Sequence, residues 1–110
     1  MDHHLLLIRD DVWSIRYVID LLRNRGYTVA TASNFEFTTD PGLADNFDLI
    51  VIDHAVPRLN AMEICAELRQ RNVEAPVVVL APRDHVQDRI AIFAAGADDY
   101  LLKPVDLDEL

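Results

Sequence analysis

Short apolar runs alternate with segments of helical spacing along the whole chain, and that rhythm narrows the fold more than any single motif. Leu5 to Ile8 holds no polar residue, as a strand buried on both faces requires. Ile15, Val18, Ile19 and Leu22 then recur at helical spacing, with Gly26 beyond them as a stop signal. Tyr27 to Ala30 reads as a second, shorter strand and Leu49 to Ile52 as a third. Val77 to Leu80, after Pro76, is a fourth, and Tyr100 to Leu102 a short fifth. Asn60 with Glu63 makes a capping-box pattern ahead of a helix carrying Met62, Cys65 and Leu68. Asp84 with Gln87 makes another, ahead of Val86, Ile90, Phe93 and Ala94 on one face, with Gly96 past the end. Strands separated by helices require right-handed crossovers. The expected architecture is therefore α/β and doubly wound, a parallel sheet with helices on both faces. At 110 residues it is expected to be one domain, residues 1–110.

Two places break the rhythm. Pro41 and Gly42 fall in the middle of the segment where the second helix belongs. Proline inside a helix costs about 3 kcal/mol and glycine about 1, so the stretch from Phe35 to Phe47 is expected to be short or distorted. At the other end, Asp106 and Glu109 announce a fifth helix that Leu110 cuts off. A truncated fifth helix, as in a fragment of a longer chain, is the expectation.

The net charge of −9 argues against nucleic acid or an anionic membrane surface as a direct partner of this domain. One cysteine, Cys65, excludes an internal disulfide and a cysteine metal cluster, which suits a reducing compartment. The apolar run after His3 and His4 is too short for a signal peptide or a membrane span, so a cytoplasmic location is expected. Cys65 reads as core. His3 and His4 lack partners at ligand spacing and read as a solvated end.

In an open parallel sheet, sites lie outside the carboxyl ends of the strands. Strand one runs into Asp10 and Asp11, strand three into Asp53, and strand five into Lys103 and Pro104. Lys103 is the single lysine among ten basic residues. Close carboxylates repel, by about 4 kcal/mol per pair at 4 Å and an effective dielectric of 20. A divalent cation relieves that, and oxygen ligands suit Mg²⁺. A carboxylate can also attack phosphorus to give an aspartyl phosphate, and phosphoryl transfer needs positioning and charge neutralisation.

The stretches LLLIRDD, DLIVIDHAVPRLNAMEI, APVVVLAPRD and GADDYLLKP together resemble the receiver domains of two-component response regulators over the whole chain. The resemblance implies five strands in the order 2-1-3-4-5. It implies that Asp53 accepts a phosphoryl group from a histidine kinase or phosphotransfer protein. Asp10, Asp11, Asp53 and the carbonyl of Ala55 would hold Mg²⁺, Lys103 would contact the phosphoryl group, and Tyr100 would be the aromatic switch. It implies a signalling domain rather than a metabolic enzyme. It also implies a homodimer formed through the fourth helix, fifth strand and fifth helix. A cis bond between Lys103 and Pro104 is expected to aim the ammonium inward.

The departures from the family pattern matter equally. Ala81 stands where the family has a serine or threonine, so a hydroxyl on the phosphoryl group is missing. Arg9 stands where it has an apolar residue. Ala61 replaces a loop glycine. Arg9 and Arg83 are candidate modulators of the pocket. Arg9 is expected to reach water with its head group, and the alternative is that it turns into the acidic pocket as a substitute cation. Ala81 and Arg9 favour a rival reading, a pseudo-receiver that mediates protein contacts without phosphate. An aspartate-nucleophile phosphohydrolase would need a second Asp at Ala55. A nucleotide or flavin site would need a glycine-rich loop in place of Asp11-Val12-Trp13-Ser14. His54 follows Asp53 but points to the opposite face in a strand. Trp13 is expected near the pocket rim.

Overall fold

The computed structural model describes residues 3–9, 16–33, 42, 46–53, 61–82 and 84–102. Five strands, β1 (His3–Arg9), β2 (Tyr27–Ser33), β3 (Leu49–Asp53), β4 (Val77–Ala81) and β5 (Asp99–Leu102), form one sheet. Its order is β2-β1-β3-β4-β5, and every pairing is parallel. Three described helices accompany it: α1 (Arg16–Asn24), α2 (Ala61–Gln70) and α3 (Val86–Ala94). Strand order and parallel pairing are those expected from the sequence. The second and fifth helices of that expectation, and most of the irregular segment from Phe35 to Phe47, lie outside the described residues.

Strand alternation divides the core into two layers. Leu5 and Leu7 of β1, Val51 of β3, Leu80 of β4 and Leu101 of β5 pack with Val18, Ile19 and Leu22 of α1. Leu6 and Ile8, Ile50 and Ile52, and Val77 and Val79 pack on the other side with Ile64, Cys65 and Leu68 of α2 and Ile92 of α3. Each such apolar side chain contributes about 1.5–3 kcal/mol on burial. Both faces are covered, so Leu5 to Ile8 of β1, Leu49 to Ile52 of β3 and all of β4 carry no polar residue.

Two aspartates pin the register. The Asp48 N–H donates to the His4 carbonyl at 2.8 Å, and its Oδ2 accepts the His4 N–H at 2.9 Å. This closed ring fixes Leu5 opposite Leu49. Asp98 repeats the device on the other side: its N–H donates to the Val77 carbonyl at 2.8 Å and its Oδ2 accepts the Val77 N–H at 2.7 Å. That fixes Val78 opposite Asp99. Arg69 locks the same corner, donating to the carbonyls of Val73, Ala75 and Gly96 and pairing with Asp98 at 2.9 Å.

Several expectations need correction. β2 is as long as β1, seven residues each. Its exposed Thr28, Ala30 and Thr31 hide the pattern, because an edge strand is only partly covered. His3 and His4 are exposed but belong to β1, and the His3 ring lies 5.8 Å from that of Tyr27. Met62 is exposed on α2, while Ala61 and Ile64 are buried beside Cys65 and Leu68. On α3, Val86, Ile90 and Phe93 face solvent and Ile92 alone is buried. Helical spacing identifies an apolar stripe but not which way it points. The start of α3 also differs: His85 is its N-cap, without a side-chain hydrogen bond, because Asp84 is taken up by Arg89 at 3.1 Å.

Candidate functional site

Asp53 ends β3 and is 1% exposed, the one buried charged residue among those described. It is paired with Leu80 of β4, and Leu80 with Leu101 of β5. On the other side, Ile52 is opposite Ile8. One step further along both strands brings Arg9, which pairs with Ser33 of β2, beside Asp53. Ser33 is thus opposite Arg9, and Asp53 opposite Leu80 and through it Leu101, with Arg9 and Asp53 each one residue past the Ile8–Ile52 pair. Leu80 and Leu101 belong to the α1 layer, so alternation puts Arg9 and Asp53 on that same face.

Arg9 is half-buried, and its Nε is buried without a hydrogen-bond partner. Such a donor costs about 1–3 kcal/mol. Among the described residues the Asp53 Oδ1 meets no hydrogen-bond donor, although the residue keeps other polar contacts.

Ala81 follows Leu80, closes β4 and is fully buried, so a methyl group stands where the family pattern calls for a hydroxyl. Tyr100 lies on the opposite face from Asp53, half-buried against the layer of Ile8, Ile52 and Val79. Burial raises its phenol above the ordinary value. A hydrogen bond with the His85 backbone works against that shift, while the nearby Asp88 and Asp84 charges add to it and Arg89 opposes it. Tyr100 is thereby connected to the loop that leaves β4 just past Ala81. Asp10, Asp11, Ala55, Arg83, Lys103 and the Lys103–Pro104 bond lie outside the described residues, as do Trp13 and His54.

A divalent cation fits what is visible of this donor set. Asp53 offers a hard carboxylate oxygen, buried and at the sheet end, and hard cations take oxygen ligands. Among the described residues no group of three acidic, histidine or cysteine side chains is placed to hold a metal. A cleft of about 470 Å³ opens instead at the other end of the sheet, lined by Arg69, Asn72, Val73, Glu74, Gly96 and Asp98. It belongs to the register-fixing corner and contains no catalytic constellation. The alternative raised from the sequence, Arg9 turned toward the acidic pocket, gains support from the register that sets Leu5 against Leu49 and so brings Arg9 next to Asp53.

Comparison with known proteins agrees with this geometry. The profile of the family described as "Response regulator receiver domain" matches residues 5–110. The response regulator protein PmrA of Pseudomonas aeruginosa is 40% identical over 106 residues, 96% of this chain and 48% of that protein. The chain thus spans about half the length of the curated relatives it matches. A response regulator from Burkholderia pseudomallei, solved with a phosphorylated aspartic acid, a calcium ion and citrate, superposes with a TM-score of 0.84 at 25% identity. The match covers 98% of this chain and 64% of that one. The response regulator TrrA from Thermotoga maritima, solved in complex with Mg²⁺ and BeF, gives a TM-score of 0.79 at 25% identity, covering 97% and 91%.

Proposed function

The chain belongs to the response regulator receiver family, and on that premise we propose that Asp53 is its phosphoacceptor, served by a divalent cation. As a receiver domain of two-component signalling it is a signalling domain rather than a classical enzyme. The observation that carries the assignment to Asp53 is its place: a carboxylate 1% exposed, closing the central strand of a 2-1-3-4-5 sheet. Response regulators solved with a phosphorylated aspartic acid and a calcium ion, and with Mg²⁺ and BeF, support it.

In this reading an Asp53 carboxylate oxygen attacks the phosphorus of a phosphorylated histidine. A P–O bond forms, the P–N bond breaks, and the imidazole leaves with the electron pair. The rigid β3, held between β1 and β4, aims the nucleophile and excludes water from its base. A bound Mg²⁺ would neutralise charge on the phosphoryl oxygens. Asp10, Asp11 and the Ala55 carbonyl are the proposed companions of Asp53 in holding it, and Lys103 the proposed partner of the phosphoryl group. Tyr100, tied to His85 at the start of α3, is the proposed reporter of the phosphorylated state.

The output is a change in protein contacts. Val86, Ile90 and Phe93 make one exposed stripe along α3, and Leu102 at the end of β5 is exposed as well. That apolar face is the proposed surface for homodimerisation. No helix among the described residues is long and apolar enough to cross a membrane, and a cytoplasmic location is proposed, with a histidine kinase or phosphotransfer protein as donor.

Incubation with acetyl phosphate and Mg²⁺, followed by intact mass, tests the reading. A gain of one phosphoryl group that requires Mg²⁺ is expected. An unmodified mass with folded protein would argue for the phosphate-independent alternative.

A further inference from the structure

We propose that Arg9 is a built-in counter-cation of Asp53 that holds the divalent-metal affinity of this site low. The proposal rests on the reading of Asp53 as a metal-binding phosphoacceptor.

Arg9 and Asp53 close adjacent strands, each one residue beyond the Ile8–Ile52 pair. Neighbouring strands lie about 4.8 Å apart, and both side chains leave the sheet on the α1 face. Asp53 is the one buried charged residue among those described. A buried carboxylate is costly without positive charge close to it. Arg9 supplies such a charge with its guanidinium. Its Nε is buried and not hydrogen-bonded, so the base of the guanidinium is kept out of bulk water. Its influence on Asp53 is then electrostatic, through a medium less polar than water, where charges act more strongly than at the surface.

A fixed positive charge beside Asp53 has a direct consequence for a metal. Part of the attraction that draws a divalent cation to the carboxylates is already satisfied, and Arg9 repels the incoming cation. The same charge attracts the anionic phosphoryl group. The site therefore binds metal weakly when no phosphoryl group is present.

Mn²⁺ binding to the full chain, followed by loss of the free-ion EPR signal, tests this without any phosphorylation readout. Wild type, Arg9→Gln, Arg9→Lys and Asp53→Asn are compared, with folding checked by circular dichroism. If Arg9→Gln does not fold, Arg9→Met keeps the apolar stem without the charge. The expected result is at least tenfold tighter Mn²⁺ binding in the neutral variant and wild-type weakness in Arg9→Lys. Asp53→Asn is expected to weaken binding further. Equal affinity in wild type and the neutral variant would overturn the role of Arg9 while leaving the metal site standing. Tightening in Arg9→Lys equal to that in Arg9→Gln would also overturn it, because charge would not be the cause. Absence of Mn²⁺ binding in every variant would remove the metal site itself, and this inference with it.

Discussion

Asp53 pairs with Leu80 across β3 and β4, and the next residue of β4, Ala81, buries a methyl group at the strand end. In the resemblance to receiver domains this position carries a hydroxyl that would contact a phosphoryl group on Asp53. A hydrogen bond to a charged group contributes roughly 1.5–3 kcal/mol. Ala81→Ser is therefore expected to bind beryllofluoride with Mg²⁺ about tenfold more tightly than wild type, read by NMR titration. Equal affinities would show that the residue does not face the phosphoryl position.

The corner held by Asp98 is expected to matter for stability rather than for phosphate chemistry. Asp98→Ala removes the acceptor of the Val77 N–H and the partner of Arg69. A loss of about 2 kcal/mol in urea unfolding is expected, with acetyl phosphate labelling of Asp53 retained. Gly96→Ala tests the same corner by another route. Gly96 has φ +119, and an added Cβ would sit 2.5 Å from the Arg69 Cγ. Destabilisation greater than about 1 kcal/mol is expected.

The alternation of elements and a parallel sheet covered on both faces were legible from periodicity, because central strands of such a sheet are apolar without interruption, whereas the strand order came from the resemblance to receiver domains. Asp53 was legible as a strand-end carboxylate. β2 was underestimated, because an edge strand carries threonine and alanine where a central strand carries valine and isoleucine. The orientation of α3 was not legible. An apolar stripe such as Val86, Ile90 and Phe93 has the same spacing whether it covers a core or awaits a partner. Whether Arg9 reaches water or turns toward the acidic pocket was left open by the sequence, because it depends on register between strands, which Asp48 sets through its backbone and its Oδ2 on His4 and which no pattern within β1 reveals.

Cys65 contributes to the alkaline limb of the stability curve. Burial pushes its thiol up to about 11 from 9.0, with Arg69 opposing and Asp98 adding to the shift. Below pH 9 the thiol is protonated in both folded and unfolded chains, and its full contribution is present. Between pH 9 and 11 the unfolded chain ionises first, so stability falls as pH rises, by about 1.4 kcal/mol per pH unit at most. Thermal unfolding of Cys65→Ala is expected to show a shallower decline over that window than wild type, whatever its lower starting stability. Parallel declines would contradict the assignment.

The exposed stripe on α3 makes a prediction about assembly. Ile90 is 62% exposed and Phe93 42%, an arrangement suited to burial against a second copy. Sedimentation equilibrium of the phosphorylated or beryllofluoride-bound chain is expected to show self-association that Ile90→Glu weakens at least tenfold. Association unaffected by Ile90→Glu would place the interface elsewhere.

The central claim is that Asp53 is the residue that takes the phosphoryl group. Borohydride reduction of the chain after treatment with acetyl phosphate and Mg²⁺ converts an aspartyl phosphate to homoserine, and peptide mass mapping then locates it. Homoserine at position 53 is expected in wild type, with none anywhere in Asp53→Asn. Homoserine at Asp10 or Asp11, or the same yield in Asp53→Asn, would contradict the account.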